Sequence, residues 1–275
     1  MPRFADRVRR LERLRRLLRK RFGDVPVANV THPVEHALRA ILSEEAASAE
    51  TEAALERLRR AFVDWNDLRV SRPREIREAL GADFPRAGQK ARVIPRLLDQ
   101  VFKQYNSMVW DFIEPMSKTE VRTFFERLEE VRPFVAAVLA RDTVGTHAFP
   151  VDADVARVLG RLKIVDPTSG TEAHMQEFLE RAVKANRAFE THGLVKRLGE
   201  MLCLVDLPLC GRCPLNPMCP SALCPPGGKP KRKKEAAKAD ADKKPAAAGA
   251  SKPSKKKPAR RPASKARPAA RRKRR

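Results

Sequence analysis

The sequence predicts an all-α protein, and three observations carry that prediction. Apolar residues recur at three- and four-residue steps through most of the chain before Cys203. Val and Ile fall at the same helical spacing rather than in the strict alternation of a half-buried strand. Helix-starting and helix-stopping residues punctuate the periodic runs at intervals that suit short helices joined by short connectors.

The first run places Phe4, Val8, Leu11, Leu14, Leu18 and Phe22 on one face with Arg between them, and Gly23 and Pro26 end it. Thr31 is placed to cap a second helix, with Pro33 in its first turn and Ala37, Leu38, Ile41 and Leu42 as its apolar stripe. Further amphipathic stretches run through Leu55 and Leu58 to Phe62, from Ile76 to Leu80, and from Ala91 to Phe102. Ser117-Lys118-Thr119-Glu120 is a capping-box sequence that opens a helix running to about Leu128. No internal repeat is found.

Charge divides the chain. Of 275 residues, 58 are Lys or Arg and 34 are Asp or Glu, a formal net charge of +24. Lys229 to Arg275 holds 21 basic and 3 acidic residues, so this segment supplies +18 and residues 1–228 only +6. The segment is Lys/Ala/Pro-rich and has no large apolar residue, which predicts a disordered tail that binds polyanions with steep salt dependence. No run approaches the roughly 18 apolar residues of a membrane span. The N-terminal stretch is too charged for a secretory signal. A cytoplasmic location is expected, nucleoid-associated in a prokaryote.

All five cysteines lie between Cys203 and Cys224. A secreted disulfide framework distributes its cysteines to close loops, whereas clustering points to a metal site in a reducing compartment. Cys203, Cys210, Cys213 and Cys219 stand at C-x6-C-x2-C-x5-C. Soft thiolates at that spacing suit an iron–sulfur cluster, a zinc site or a set of structural thiols. The five histidines lie far apart with no ligand spacing, and Trp65, Tyr105 and Trp110 read as packing residues.

Read through LCLVDLPLCGRCPLNPMCP, the cysteine segment resembles the cluster loop of endonuclease III and adenine–DNA glycosylase. A second match is Val151-Asp152-Ala153-Asp154-Val155-Ala156-Arg157-Val158, similar to that family's V-D-x-x-V-x-R-V segment. The resemblance spans roughly residues 30–220. It implies an all-α helix-hairpin-helix DNA glycosylase with a [4Fe-4S] cluster on Cys203, Cys210, Cys213 and Cys219, acting on damaged or abasic double-stranded DNA as a monomer. Cys224 falls outside the pattern as a spare thiol. Expected boundaries are 1–29 for an N-terminal helix packing with the cluster domain, 30–145 for a hairpin-bearing barrel, 146–224 for the cluster domain and 225–275 for the tail.

The chain also departs from the family. The hairpin equivalent, Leu128 to Ala136, has Glu130 and Arg132 in place of glycines, and Phe134 where the family has its lysine nucleophile. Without that amine the Schiff-base lyase route is closed. The family's catalytic glutamate position is Ala40, and its base-replacing glutamine region is Glu44-Glu45. The loop from Leu204 to Leu209 holds Asp206 and no cation.

Asp152 is then the catalytic candidate. Its carboxylate can stabilise an oxocarbenium-like transition state with water as nucleophile, or it simply caps the following helix. Lys90, Arg132 and Arg212 are the expected DNA-phosphate contacts. The resulting expectation is a monofunctional DNA N-glycosylase. The alternative is a non-catalytic iron–sulfur DNA-binding protein, and a third route is non-specific nicking of abasic sites by tail lysines. A base-sized pocket beside Asp152 favours the enzyme, and a pocket plugged by Phe134 favours the binder.

Overall fold

The periodicity of the first run becomes a 19-residue helix, α1 (Phe4–Phe22), which buries Leu11, Leu14 and Leu18 and stops where Gly23 takes φ 73°. This computed structural model describes residues 2–26, 32–168 and 170–228. Thr31 and the segment 229–275 lie outside the described residues. Among those residues are eleven α-helices, three short 3-10 turns and no strand.

The next helices assemble around one apolar cluster. They are α2 (Pro33–Ser43), α3 (Ser48–Ala61), α4 (Trp65–Val70), α5 (Pro73–Leu80), α6 (Ala87–Tyr105), α7 (Lys118–Arg127) and α8 (Pro133–Val144). His32 stands at the N-cap of α2, with Pro33 pre-setting the first turn. The capping box at Ser117 forms, its hydroxyl accepting from Glu120 N and Glu120 accepting from Ser117 N. The helix it opens ends at Arg127, one residue before the expected stop. Helix α8 is buried throughout Phe134–Ala140, so it forms the centre of this cluster. The aromatics pack as expected: Trp110 is buried, Tyr105 stacks on Phe112, and Trp65 packs against the same cluster.

The second cluster joins α1 to α9 (Ala153–Arg161), α10 (Glu172–Ala182) and α11 (Ala185–Met201), with Leu202 and Leu215 closing it. Ion pairs tie the two clusters together. Arg122 reaches Glu180 at 3.1 Å, and Arg132 reaches Glu172 at 2.7 Å. After Pro225 the chain runs back along the thiol loop, with Gly227 N donating to Gly211 O at 2.8 Å. A β-carbon on Gly211 would meet Gly228 O at 2.0 Å, so only glycine allows that approach.

The hairpin between α7 and α8 keeps its backbone turn without its glycines. Glu130 adopts φ 63°, the left-handed conformation a glycine would take at less strain. Its carboxylate pairs with Arg96.

Candidate active site and thiol loop

Asp152 is fixed by the way its segment enters α9. Phe149 and Val151 are buried on either side of Pro150, which turns the Asp152 side chain inward as the N-cap. Its Oδ1 accepts from Val155 N at 2.9 Å. Its Oδ2 accepts from Lys196 Nζ at 2.6 Å and from Glu45 N at 3.2 Å. The residue is 0% exposed. The helix-cap geometry is therefore present, and a salt bridge is added to it.

Lys196 was not singled out in the sequence. It projects from α11, and its ammonium also lies 3.4 Å from Asp154 Oδ2 and 3.4 Å from Ser43 O. Burial alone would push this amine down, but the Asp152 charge, its hydrogen bond and Asp154 outweigh burial and hold Lys196 above the usual lysine range. It is an ammonium at neutral pH. The signal that marks it is tertiary, because the pair closes across 44 positions of chain.

Beside this pair opens a cavity of about 730 Å³ between α2, α3, α8 and α11. Ala40, Ser43, Phe134, His192 and Lys196 lie in its wall. Phe134 is buried in that wall, its ring centroid 6.3 Å from that of His192. His192 and Arg141 are lining residues whose Nε2 and Nη1 are buried and have no hydrogen-bond partner among the described residues. Burial, reinforced by the nearby Arg141 and Lys196 charges, pushes His192 well below the usual imidazole range, so it is neutral.

The expected phosphate contacts separate on inspection. Lys90 is corrected outright: it is 2% exposed, and its Nζ donates to Leu42 O at 2.8 Å and Glu44 O at 2.7 Å. It satisfies carbonyls left open at the end of α2 and does not face solvent. Burial pushes this amine down to about 8. Arg132 is also committed, with Nε 2.9 Å from Glu44 and Nη2 2.7 Å from both oxygens of Glu172. Burial raises the Glu44 carboxyl despite Arg132 and Arg86. Arg212 is exposed. Asp152, Lys90 and Arg132 thus surround the Ser43–Glu45 turn, while Arg212 stands on the thiol loop.

Cys203, Cys210, Cys213 and Cys219 lie within electrostatic reach of one another. Burial pushes the Cys213 thiol up to about 11, and the other three cysteines are near enough to raise it further. Among the described residues no group of three or more His, Cys, Asp or Glu is spaced to hold a metal ion. The loop is shaped by Arg161, whose guanidinium donates to Cys203 O, Leu204 O and Val205 O and lies 3.3 Å from Cys203 Sγ. Asn216 bridges Cys210 O and Cys224 O. Cys224 is buried and donates its thiol to Gly228 O. It does not contribute to the electrostatic cluster around Cys213.

This arrangement of helices is the helix-hairpin-helix DNA glycosylase fold. Against endonuclease III in a trapped covalent intermediate with DNA, the TM-score is 0.63 at 20% identity, covering 78% of this chain and 96% of that one. A non-covalent endonuclease III–DNA complex gives 0.63 at 20%, covering 81% and 97%. A thermostable thymine-DNA glycosylase gives 0.58 at 15%, covering 79% and 97%. No family model and no curated protein sequence matches the chain.

Proposed function

We propose that this protein is a base-excision-repair DNA N-glycosylase that works without a lysine at position 134. The observation that carries this reading is the cavity whose wall holds Lys196, the partner of the buried Asp152, and which Phe134 lines and does not fill. Its volume falls within the range of small-molecule sites. A flipped nucleobase is the ligand that suits a cleft between the two helical clusters of this fold. His192 and Arg141 bring polar side chains to a largely apolar wall, and their buried, unpartnered Nε2 and Nη1 would turn to a base edge once that wall opens.

In this reading the N-glycosidic bond breaks with its electron pair leaving on the base, and water adds to the sugar. The Asp152 carboxylate stabilises the positive charge that builds on the sugar ring. Lys196 is a positioning residue: its ammonium donates to Oδ2 and fixes the orientation of the Asp152 side chain. Opening of the Glu45 N–H contact would free one face of the carboxylate. The hairpin barrel would span 30–145 and the cluster domain 146–224, with 1–29 packed on the latter. Cys203, Cys210, Cys213 and Cys219 would hold a [4Fe-4S] cluster, which supplies a covalent cross-link for the loop and a redox centre. Their shared neighbourhood and soft donor set fit that group.

A second reading has its own observation. Both Asp152 oxygens are engaged and the residue is fully buried, as befits a strut in a non-catalytic DNA-binding protein. Single-turnover assays on duplexes carrying oxidised pyrimidines, uracil, mismatched adenine or an abasic site separate the two. Base release that needs alkali for strand cleavage, and that disappears in a folded Asp152→Asn variant, is the expected result. Binding without release on every duplex would establish the non-catalytic reading.

A further inference from the structure

The folded body carries its positive charge in one place. Residues 1–228 hold 37 basic and 31 acidic residues, a net +6. Helix α1 alone holds nine basic and two acidic residues, a net +7. Without α1 the described body is close to neutral.

The helix sorts those cations by face. Leu11, Leu14 and Leu18 form the buried side. The arginines flanking them are tied down: Arg7 and Arg10 donate to Ile164 O and Leu162 O, and Arg15 and Arg19 pair with Glu190. At 3.6 residues per turn, Arg9, Arg13, Arg16 and Lys20 fall within about 60° of one another, opposite the leucines. All four are exposed. Arg9 shares a solvent-exposed pair with Asp6, and Arg13, Arg16 and Lys20 have no ion-pair partner among the described residues. Single unpaired cations such as Arg77, Arg92 and Arg127 are exposed on other helices, while Arg60, Arg74 and Lys103 each sit on a carboxylate of their own helix; α1 differs in aligning its cations in one stripe.

We infer that this stripe is a second contact surface for the DNA backbone, taking phosphates beyond the reach of Arg212 on the thiol loop. The inference rests on DNA being the partner. The cations expected at the hairpin and beside it are consumed, Arg132 by Glu44 and Glu172 and Lys90 by carbonyls. The exposed side chains of the Cys203–Cys210 loop are the apolar Leu204, Val205 and Leu207 and the acidic Asp206, none of them a cation.

From Arg9 to Lys20 the stripe runs about 16 Å, the axial length over which one DNA strand presents about five phosphates. Its rigid backing keeps the spacing fixed, and each guanidinium can donate to two phosphate oxygens at once. The stripe is continuous with the thiol loop, because Arg9, Arg10 and Arg13 share a groove with Pro217 and Met218.

The test is the salt dependence of binding to an undamaged duplex of roughly 30 base pairs, measured on the full chain. Each lost phosphate contact lowers the slope of log K against log salt by about 0.9. Arg13→Gln/Arg16→Gln/Lys20→Gln is expected to lower it by between two and three. The control Arg60→Gln/Arg74→Gln/Lys103→Gln removes equal charge from the other cluster and should leave the slope in place. The charge-keeping Arg13→Lys/Arg16→Lys should also retain it. An unchanged slope in the first variant, or an equal drop in the control, overturns the proposal. Base release is read separately on the same proteins. Its absence from every protein, with the slope change intact, would sink the glycosylase reading and leave this surface standing.

Discussion

Lys196 Nζ stands 2.6 Å from Asp152 Oδ2, and through Glu45 N and Ser43 O the same pair grips the end of α2. One ion pair therefore links the N-terminus of α9, the middle of α11 and the turn after α2. Breaking a buried pair from one side leaves an uncompensated charge and costs about 3–5 kcal/mol. Lys196→Met is expected to destabilise by that order, read as the urea midpoint. Asp152→Asn keeps an acceptor for Val155 N and should lose less. The double variant should recover part of the loss, and simple addition of the two single losses would show that the residues do not interact.

Lys90 makes stability depend on pH in a direction opposite to most surface lysines. Its folded value near 8 lies below the ordinary 10.5, so between those limits the unfolded chain binds more protons than the folded one. Its contribution therefore rises as pH rises through that window. The stability difference between the parent and Lys90→Met should widen from pH 8 to pH 10. A constant difference would mean that Lys90 titrates normally.

Glu130 occupies a left-handed turn that costs a non-glycine residue about 1–2 kcal/mol. Glu130→Gly gives up one exposed ion pair and gains backbone freedom in the unfolded chain, both small losses. The variant should match or slightly exceed the parent in thermal midpoint. It should also bind duplex DNA more tightly, because a carboxylate leaves the hairpin. A clear drop in midpoint would show that the turn depends on the Arg96 pair.

The thiols make a compositional prediction. Iron and acid-labile sulfide should co-purify with the parent and with Cys224→Ser, and should be lost from Cys213→Ser. Zinc without sulfide would identify the site as a mononuclear one. Loss of iron from Cys224→Ser would bring the fifth cysteine into the ligand set.

Much of the fold was readable because helical periodicity is a local signal. The extent of α1, the capping box at Ser117 and the stop at Gly23 follow from residues within a few positions of each other. The site was readable where a cap was involved, since Asp152 in a V-D-x-D segment caps whatever helix follows. Lysines were the failure. Lys90 and Lys196 sit in helices where a cation ordinarily marks the solvent face, yet both point inward to acceptors supplied from 44 to 48 positions away. No local pattern encodes that, because burial of an amine is decided by what another helix leaves unsatisfied. Arg132 misled for a related reason: its partners Glu44 and Glu172 come from two other helices' ends.

Arg161 holds the first half of the thiol loop by three carbonyls, and Asn216 holds the second half by two. Small metal domains commonly remain unfolded until the ion arrives, so their metal affinity and folding energy are one quantity. Here the scaffold of the loop is already specified by protein groups alone. If the four cysteines hold the proposed cluster, its loss would leave the Arg161 and Asn216 bonds in place, so the path of the loop would outlast the group it carries.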